Sequence, residues 1–242
     1  PSLLPGVYEL RVEQSGFKTA RIENIKQEVQ QTTRLDVSME VGQVDEMVTI
    51  NSTAGLLNAE NGTMGTVIEN KIVTELPLNG RQYLNLVALS PNVNVLAPAA
   101  GQAGARQGGE RAQQAISAGG QRIFFDYYTL DGVNNMDVGS NSTLLVFPSI
   151  NSIAEFRVER NSFGAEFGQA QGAVINLITK GGTNQFHGTA FEFFRNDALN
   201  TIDFFLDKAG QPKGTLRYND FGFTLGGPIV KNKTFFWFAG EK

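Results

Sequence analysis

Few residues in this chain have both the type and the neighbours that covalent chemistry needs. His187 is the only histidine and there are no cysteines, which removes cysteine nucleophiles, thiolate metal sites and disulfides together. One imidazole beside Gly188 makes no metal site, and as a base it would need an activated serine on a rigid pocket wall. The chain carries neither a Gly-x-Ser-x-Gly elbow nor a phosphate-binding glycine loop ending in Lys-Ser or Lys-Thr. The expectation is a protein without catalytic residues, cofactor or metal, hence no enzyme. Two other features stand out. One is the charged run Glu155-Phe156-Arg157-Val158-Glu159-Arg160; the other is the short piece Val44 to Ile50, set between Gly42 and Gly55.

The elements that carry these features must be mostly strands. A load of 27 Gly and 18 Phe suits turns and β surfaces better than long helices. The net charge of −4 arises from 20 basic and 24 acidic residues scattered along the chain, without the basic block that neutralises phosphates, so nucleic acid is not an expected partner. No run approaches the roughly 18 apolar residues of a membrane helix; any membrane crossing must use strands. The chain opens at Pro1 and closes on Glu241 and Lys242 just after a dense aromatic strand, which reads as an excerpt of something longer.

Along the chain, Tyr8, Leu10 and Val12 alternate with Glu9, Arg11 and Glu13, the period-2 signature of a half-buried strand. Ser15 and Gly16 supply a turn, an extended stretch follows from Ile22 to Val29, and Leu35 to Val41 alternates again. Asn51 to Gly55 reads as a flexible joint. Helical spacing predicts two short helices, from Ile68 to Leu76 and from Arg81 to Leu89, stopped by Pro77 and Pro91. Ala97 to Gly120 is rich in Ala, Gly and Gln and is expected to be a mobile loop. Strands are expected at Ile123 to Asp131, Phe156 to Arg160 and Ala173 to Lys180.

From Gly181 the texture changes. Phe191 and Phe193 alternate with Ala190 and Glu192, and Phe221, Phe223, Leu225 and Ile229 alternate with Asp220, Gly222, Thr224 and Gly226. Thr234 to Phe238 follows a turn at Lys231 to Lys233. One greasy face is expected to meet lipid and the small or polar one a lumen, as in a transmembrane barrel. An ordinary sandwich shows the same alternation, but Asp220, Gly222, Thr224 and Gly226 cannot fill a soluble core at native density.

These residues resemble the TonB-dependent outer-membrane receptors, and within them the Oar-like branch with an N-terminal carboxypeptidase-regulatory-like domain. The resemblance is carried by Tyr128 to Val133, Ile153 to Val158, and Gly168 through Gly172 to Lys180. Further blocks are Leu76 to Arg81, Gly181 to Gly188, Phe194 to Asp197 and Phe221 to Pro228. It implies a fold that is mostly β with an α+β plug. Residues 1–43 would be the C-terminal part of a transthyretin- or Ig-like sandwich, and 44–55 a TonB-box-like segment and linker. Residues 56–180 would be the plug, and 181–242 the first strands of a barrel of about 22.

The implied location is the cell outer membrane, with the plug and N-terminal domain on the periplasmic side. The implied partners are TonB with its ExbB/ExbD energy system, outer-membrane lipid and an unidentified substrate sensed by loops such as Ala97 to Gly120 and Val138 to Ser142. Asp45, Glu46, Met47, Val48, Thr49 and Ile50 resemble the box that lends its backbone to a TonB sheet edge; the same residues also read as the last strand of the preceding sandwich. By the same resemblance Glu155, Arg157, Glu159 and Arg160 are expected to meet the barrel wall, against the alternative of a solvated strand face. The implied function is energised transport across the outer membrane, against the alternative of a surface-adhesion or structural β protein.

Overall fold

Period-2 side-chain alternation, interrupted by glycine turns, builds both of the two units into which the chain divides. These are residues 1–147 with 153–179, and residues 148–152 with 180–242. The computed structural model describes residues 3, 5–29, 31–42, 47–51, 64–78, 81–96, 115–122, 125–137, 144–160 and 163–242.

In the first unit β1 (Gly6–Val12) pairs antiparallel with β2 (Thr19–Gln27) across a turn at Gly16, whose φ of +85° suits glycine. On the other side of β2 lies β3 (Met47–Asn51), and this pairing is parallel. Parallel neighbours need a long crossover, here residues 28–46. Residues 31–40 belong to no helix or strand, and their exposure alternates as their sequence predicts. In place of the expected strand from Leu35 to Val41 there is only a bridge between Phe17 and Val41, made by Lys18 N–H donating to Glu40 O and Gly42 N–H to Gly16 O.

Next come β4 (Met64–Glu69), α1 (Asn70–Glu75), β5 (Val93–Leu96), β6 (Ala115–Ala118), β7 (Tyr127–Leu130), β8 (Val133–Asn134), β9 (Ile153–Arg160) and β10 (Ala173–Thr179). Five of these strands form a sheet ordered β4-β9-β10-β7-β8, in which β10 and β7 are parallel, while β5 and β6 pair by themselves. Rows such as Ile68–Phe156–Leu177–Leu130 cross the sheet in register, and Ile68, Phe156 and Leu177 are buried there with Tyr83, Leu84 and Val87. Tyr83 meets Phe156 edge to face at 6.0 Å.

Two expectations change. Ile68 belongs to β4, not to a helix, so α1 is a turn and a half; the second helix, Tyr83–Leu89, is a 3-10 helix that buries Tyr83, Leu84, Leu86 and Val87. Part of the expected mobile loop is ordered as well: β6 puts Ile116 and Ala118 wholly out of solvent against β5. Residues 97–114 of that loop, and the whole of the second expected loop, Val138 to Ser142, lie outside the described residues.

In the second unit β11 (His187–Asn196), β12 (Arg217–Val230) and β13 (Thr234–Glu241) form a three-stranded antiparallel sheet, with the short helix α2 (Phe204–Lys208) between β11 and β12 in the chain. The sheet is open, and the β12–β13 turn is tied by Asn232 N–H donating to Asn184 Oδ1 at 2.8 Å.

Register corrects the faces. Phe191 lies opposite Gly222 and Phe193 opposite Asp220, so both share the face of the small and polar residues and not that of Phe221, Phe223 and Leu225. The oily face is instead made of Phe194, Phe221, Phe223, Leu225 and Phe238, each 45–55% exposed. The mixed face carries His187, Thr189, Phe191, Phe193, Asp220, Gly222, Thr224, Gly226 and Trp237. The physical reason is steric: Phe191 needs a residue without Cβ beneath it, and a Cβ on Gly222 would come within 2.5 Å of its ring.

Candidate functional site

Of the six residues read as a partner-binding segment, Asp45 and Glu46 lie outside the described residues. Met47 to Ile50 belong to β3, with Met47 opposite Thr19, Val48 opposite Ala20, Thr49 opposite Arg21 and Ile50 opposite Ile22. The segment is therefore extended, as its proposed use requires, and already paired on one side. Its strand is the edge of the sheet β1-β2-β3.

The charged run sits on β9, between β4 and β10. Alternation sends Phe156 and Val158 into the apolar core and Glu155, Arg157 and Glu159 to the opposite face, yet that face too is covered and all three are buried. Three charges can stay there because each has a partner. Arg157 Nε lies 3.0 Å from Glu159 Oε1. Glu155 Oε1 accepts the backbone N–H of Val29 at 2.5 Å, and Arg157 Nη1 donates to the carbonyl of the same Val29 at 3.3 Å. Burial pushes the Glu155 and Glu159 carboxyls above the ordinary range, outweighing the Val29 N–H and the Arg157 charge.

Arg160 is half-exposed and donates from Nη1 to the Pro91 carbonyl. The four charges expected at a barrel wall thus all find partners within the first unit. Lys26 at the end of β2 adds a 2.5 Å ion pair to Glu69 of β4. Together with Val29 these contacts tie the end of β2 to the larger sheet at two points.

Asp126 escaped the sequence reading. It is 3% exposed, accepts Ala173 N–H at 2.9 Å, and burial pushes its pKa up to about 7. Its one visible signal was a carboxylate set between Phe125 and Tyr127. Val29 was missed as well, because a backbone contact across 126 residues leaves no mark in local pattern. His187 stands at the start of β11, its ring 5.2 Å from that of Trp237, and its Nδ1 lies 3.0 Å from Gln185 O. Lys180 Nζ stands 5.8 Å from the centre of the Trp237 ring. Among the described residues no group of three metal-ligating side chains exists, and no helix is long and apolar enough to cross a membrane.

An open antiparallel sheet with one exposed aromatic face is what a stave of an outer-membrane barrel looks like, and residues 178–242 match the family model described as outer membrane beta barrel domain. The chain is a β protein of the outer membrane. Along nearly its whole length it is similar to a TonB-dependent transporter. The TonB-dependent transporter Oar of Myxococcus xanthus is 27% identical over 258 residues, a match covering 99% of this chain and 22% of that protein. The chain thus spans about a fifth of the length of this relative.

Solved structures with partial likeness include the siderophore receptor PirA of Acinetobacter baumannii (23% identity, TM-score 0.49, 73% of this chain and 24% of that one). Others are the ferric enterobactin receptor PfeA of Pseudomonas aeruginosa (18%, 0.46, 69% and 22%) and the outer membrane transporter YddB of Escherichia coli (16%, 0.47, 67% and 24%).

Proposed function

We propose that this chain is part of a transporter that binds a substrate at the cell surface and moves it across the outer membrane with energy delivered through TonB. The carrying observation is the division of the β11–β13 sheet into an exposed aromatic face and a face of Gly, Thr, Asp and stacked rings. Such a sheet is stable with hydrocarbon on one side and an occupied lumen on the other. In this proposal residues 1–43, which carry β1 and β2, are the end of a carboxypeptidase-regulatory-like domain, 44–55 are a TonB-box-like segment and linker, 56–180 form the plug, and 181–242 begin the barrel.

Energy enters through Asp45 to Ile50, which pair with a strand of TonB by backbone hydrogen bonds; ExbB and ExbD power TonB. The extended conformation of Met47–Asn51 and its place at a sheet edge support this role. Its pairing with β2 also suits the alternative of an ordinary closing strand, and deletion separates the two. Removing residues 45–50 from the whole protein abolishes binding to the purified periplasmic domain of TonB if the segment is the contact, and leaves it unchanged if the strand is only structural.

A further inference from the structure

We propose that the β12–β13 turn is a phospholipid site: Lys231 and Lys233 hold the phosphate of an anionic lipid in the leaflet of the outer membrane that faces the periplasm. This rests on β11–β13 being a membrane stave and not on energy coupling. The charges of the stave are sorted by end. Residues 180–191 and 221–240, which make the turn end, include Lys180, Lys231 and Lys233 and not one Asp or Glu. Residues 192–220, toward the other end, carry five acidic and four basic residues. The turn end is therefore purely cationic, and its natural complement is an anion.

Lys180 is engaged on the mixed face, its Nζ 5.8 Å from the centre of the Trp237 ring. Lys231 and Lys233 are exposed, and among the described residues neither has an ion pair. A fixed turn presents them. Asn232 sits at φ +61°, accepts from Asn184 Nδ2 at 2.7 Å and donates its own N–H to Asn184 Oδ1 at 2.8 Å, while Lys233 N–H donates to Val230 O at 3.1 Å. Beside the turn stand Ile229, Val230 and Phe235, which are 67%, 50% and 39% exposed. Cations bordering apolar surface suit a lipid, since the lysine stem lies along hydrocarbon while its ammonium reaches a phosphate. The height agrees as well. From Phe221 to Val230 a strand rising ~3.4 Å per residue and tilted ~40° climbs roughly 23 Å, against an apolar band of about 25 Å. Both ammonium groups thus stand at the edge of the band, where headgroup phosphates lie. In such barrels short turns mark the periplasmic side and long loops the outer side. The turn at 231–233 is short and the connection over 197–216 is long, so the leaflet is the phospholipid one.

The test uses the whole protein, delipidated in a neutral detergent and titrated with phosphatidylglycerol, phosphatidylethanolamine, lipid A or soluble glycerol phosphate, with bound molecules counted by native mass spectrometry. Phosphatidylglycerol binds more tightly than phosphatidylethanolamine. Lys231→Gln with Lys233→Gln weakens it roughly 20-fold or more, about fivefold per charge, and Lys231→Arg with Lys233→Arg retains it. Lys208→Gln with Arg217→Gln, toward the other end, leaves it unchanged. Phosphatidylglycerol binding that survives loss of both turn lysines overturns the site, as does a loss caused by the Lys208 and Arg217 pair instead. Glycerol phosphate binding as tightly as the lipid overturns the membrane as its source, and lipid A competing equally at these lysines overturns the leaflet. Heat-modifiability on gels reports folding of each variant; should the double variant not fold, the single Lys231→Gln and Lys233→Gln variants, each expected to lose about fivefold, decide. A parent protein that forms no heat-modifiable barrel removes the stave reading itself, whereas a folded parent whose binding ignores the two lysines removes only the lipid site.

Discussion

Glu155 takes the backbone N–H of Val29 at 2.5 Å, joining the end of the first sheet to the centre of the second. The same Val29 offers its carbonyl to Arg157, and Arg157 in turn neutralises Glu159 at 3.0 Å. The unit formed is a buried chain of charges hung on one residue's backbone, and its energetics depend on all members being present.

Arg157→Met leaves the Glu159 carboxylate buried without its partner and costs about 3–5 kcal/mol. Replacing both ends of the ion pair, Arg157→Met with Glu159→Leu, recovers most of that loss, because no uncompensated charge then remains. Pulse proteolysis in urea on the detergent-solubilised protein measures both. A double variant as unstable as the single one would show that Arg157 acts through Val29 and not through Glu159.

Asp126 sets a pH dependence of definite sign. Its folded pKa of about 7 lies above the unfolded value of about 3.9, so the folded state holds the proton more tightly. The contribution is complete below about pH 4 and is lost as pH rises through about 7, so stability falls across that window. The size is on the order of 2–4 kcal/mol. Glu155 and Glu159, also raised by burial, tilt stability the same way. Asp126→Asn keeps an acceptor for Ala173 N–H and cannot ionise, so the fall between pH 4 and 7 becomes shallower. An unchanged urea-midpoint profile would rule Asp126 out as its source.

Gly226 is the floor on which two rings rest. A Cβ there would stand 2.3 Å from Trp237 Cε3 and 3.2 Å from His187 Nε2. Gly226→Val therefore displaces Trp237 from its place beside Lys180 and His187. The expected result is a red-shifted emission from Trp237, the only tryptophan, with reduced folding into the outer membrane. The nearby Leu225→Val change, on the exposed face, leaves emission in place.

The strands of the second unit were legible because a surface with different solvents on its two sides writes period 2 into every stave. Their relative phase was not legible: alternation within β11 and within β12 leaves open which face of one meets which face of the other. That choice is made by the hairpin register, which sets Phe191 over Gly222. Similar logic explains the first unit. Glu155, Arg157 and Glu159 were visible as a charged strand, but whether such a strand faces water or is covered depends on Val29, 126 residues away. β6 was hidden for another reason, since Ile116 is one large apolar side chain among alanines and glycines and gives no periodicity to read.

The corrected faces give the sharpest test of the membrane assignment. Leu225 and Phe223 point from the oily face, where a charge near mid-bilayer costs about 2–4 kcal/mol. Phe193, only two residues beyond Phe191 in β11, lies on the other face opposite Asp220. Phe193→Arg therefore places its guanidinium beside a carboxylate and away from hydrocarbon. In the whole protein, Leu225→Arg and Phe223→Arg lower the amount of heat-modifiable, folded protein in the outer membrane by tenfold or more, whereas Phe193→Arg assembles nearly as the parent does. If instead Phe193→Arg fails and Leu225→Arg assembles, hydrocarbon lies on the face of Asp220. Such a result is incompatible with a carboxylate that is fully shielded there and bonded to Tyr218, so it would require a different strand pairing in the assembled barrel.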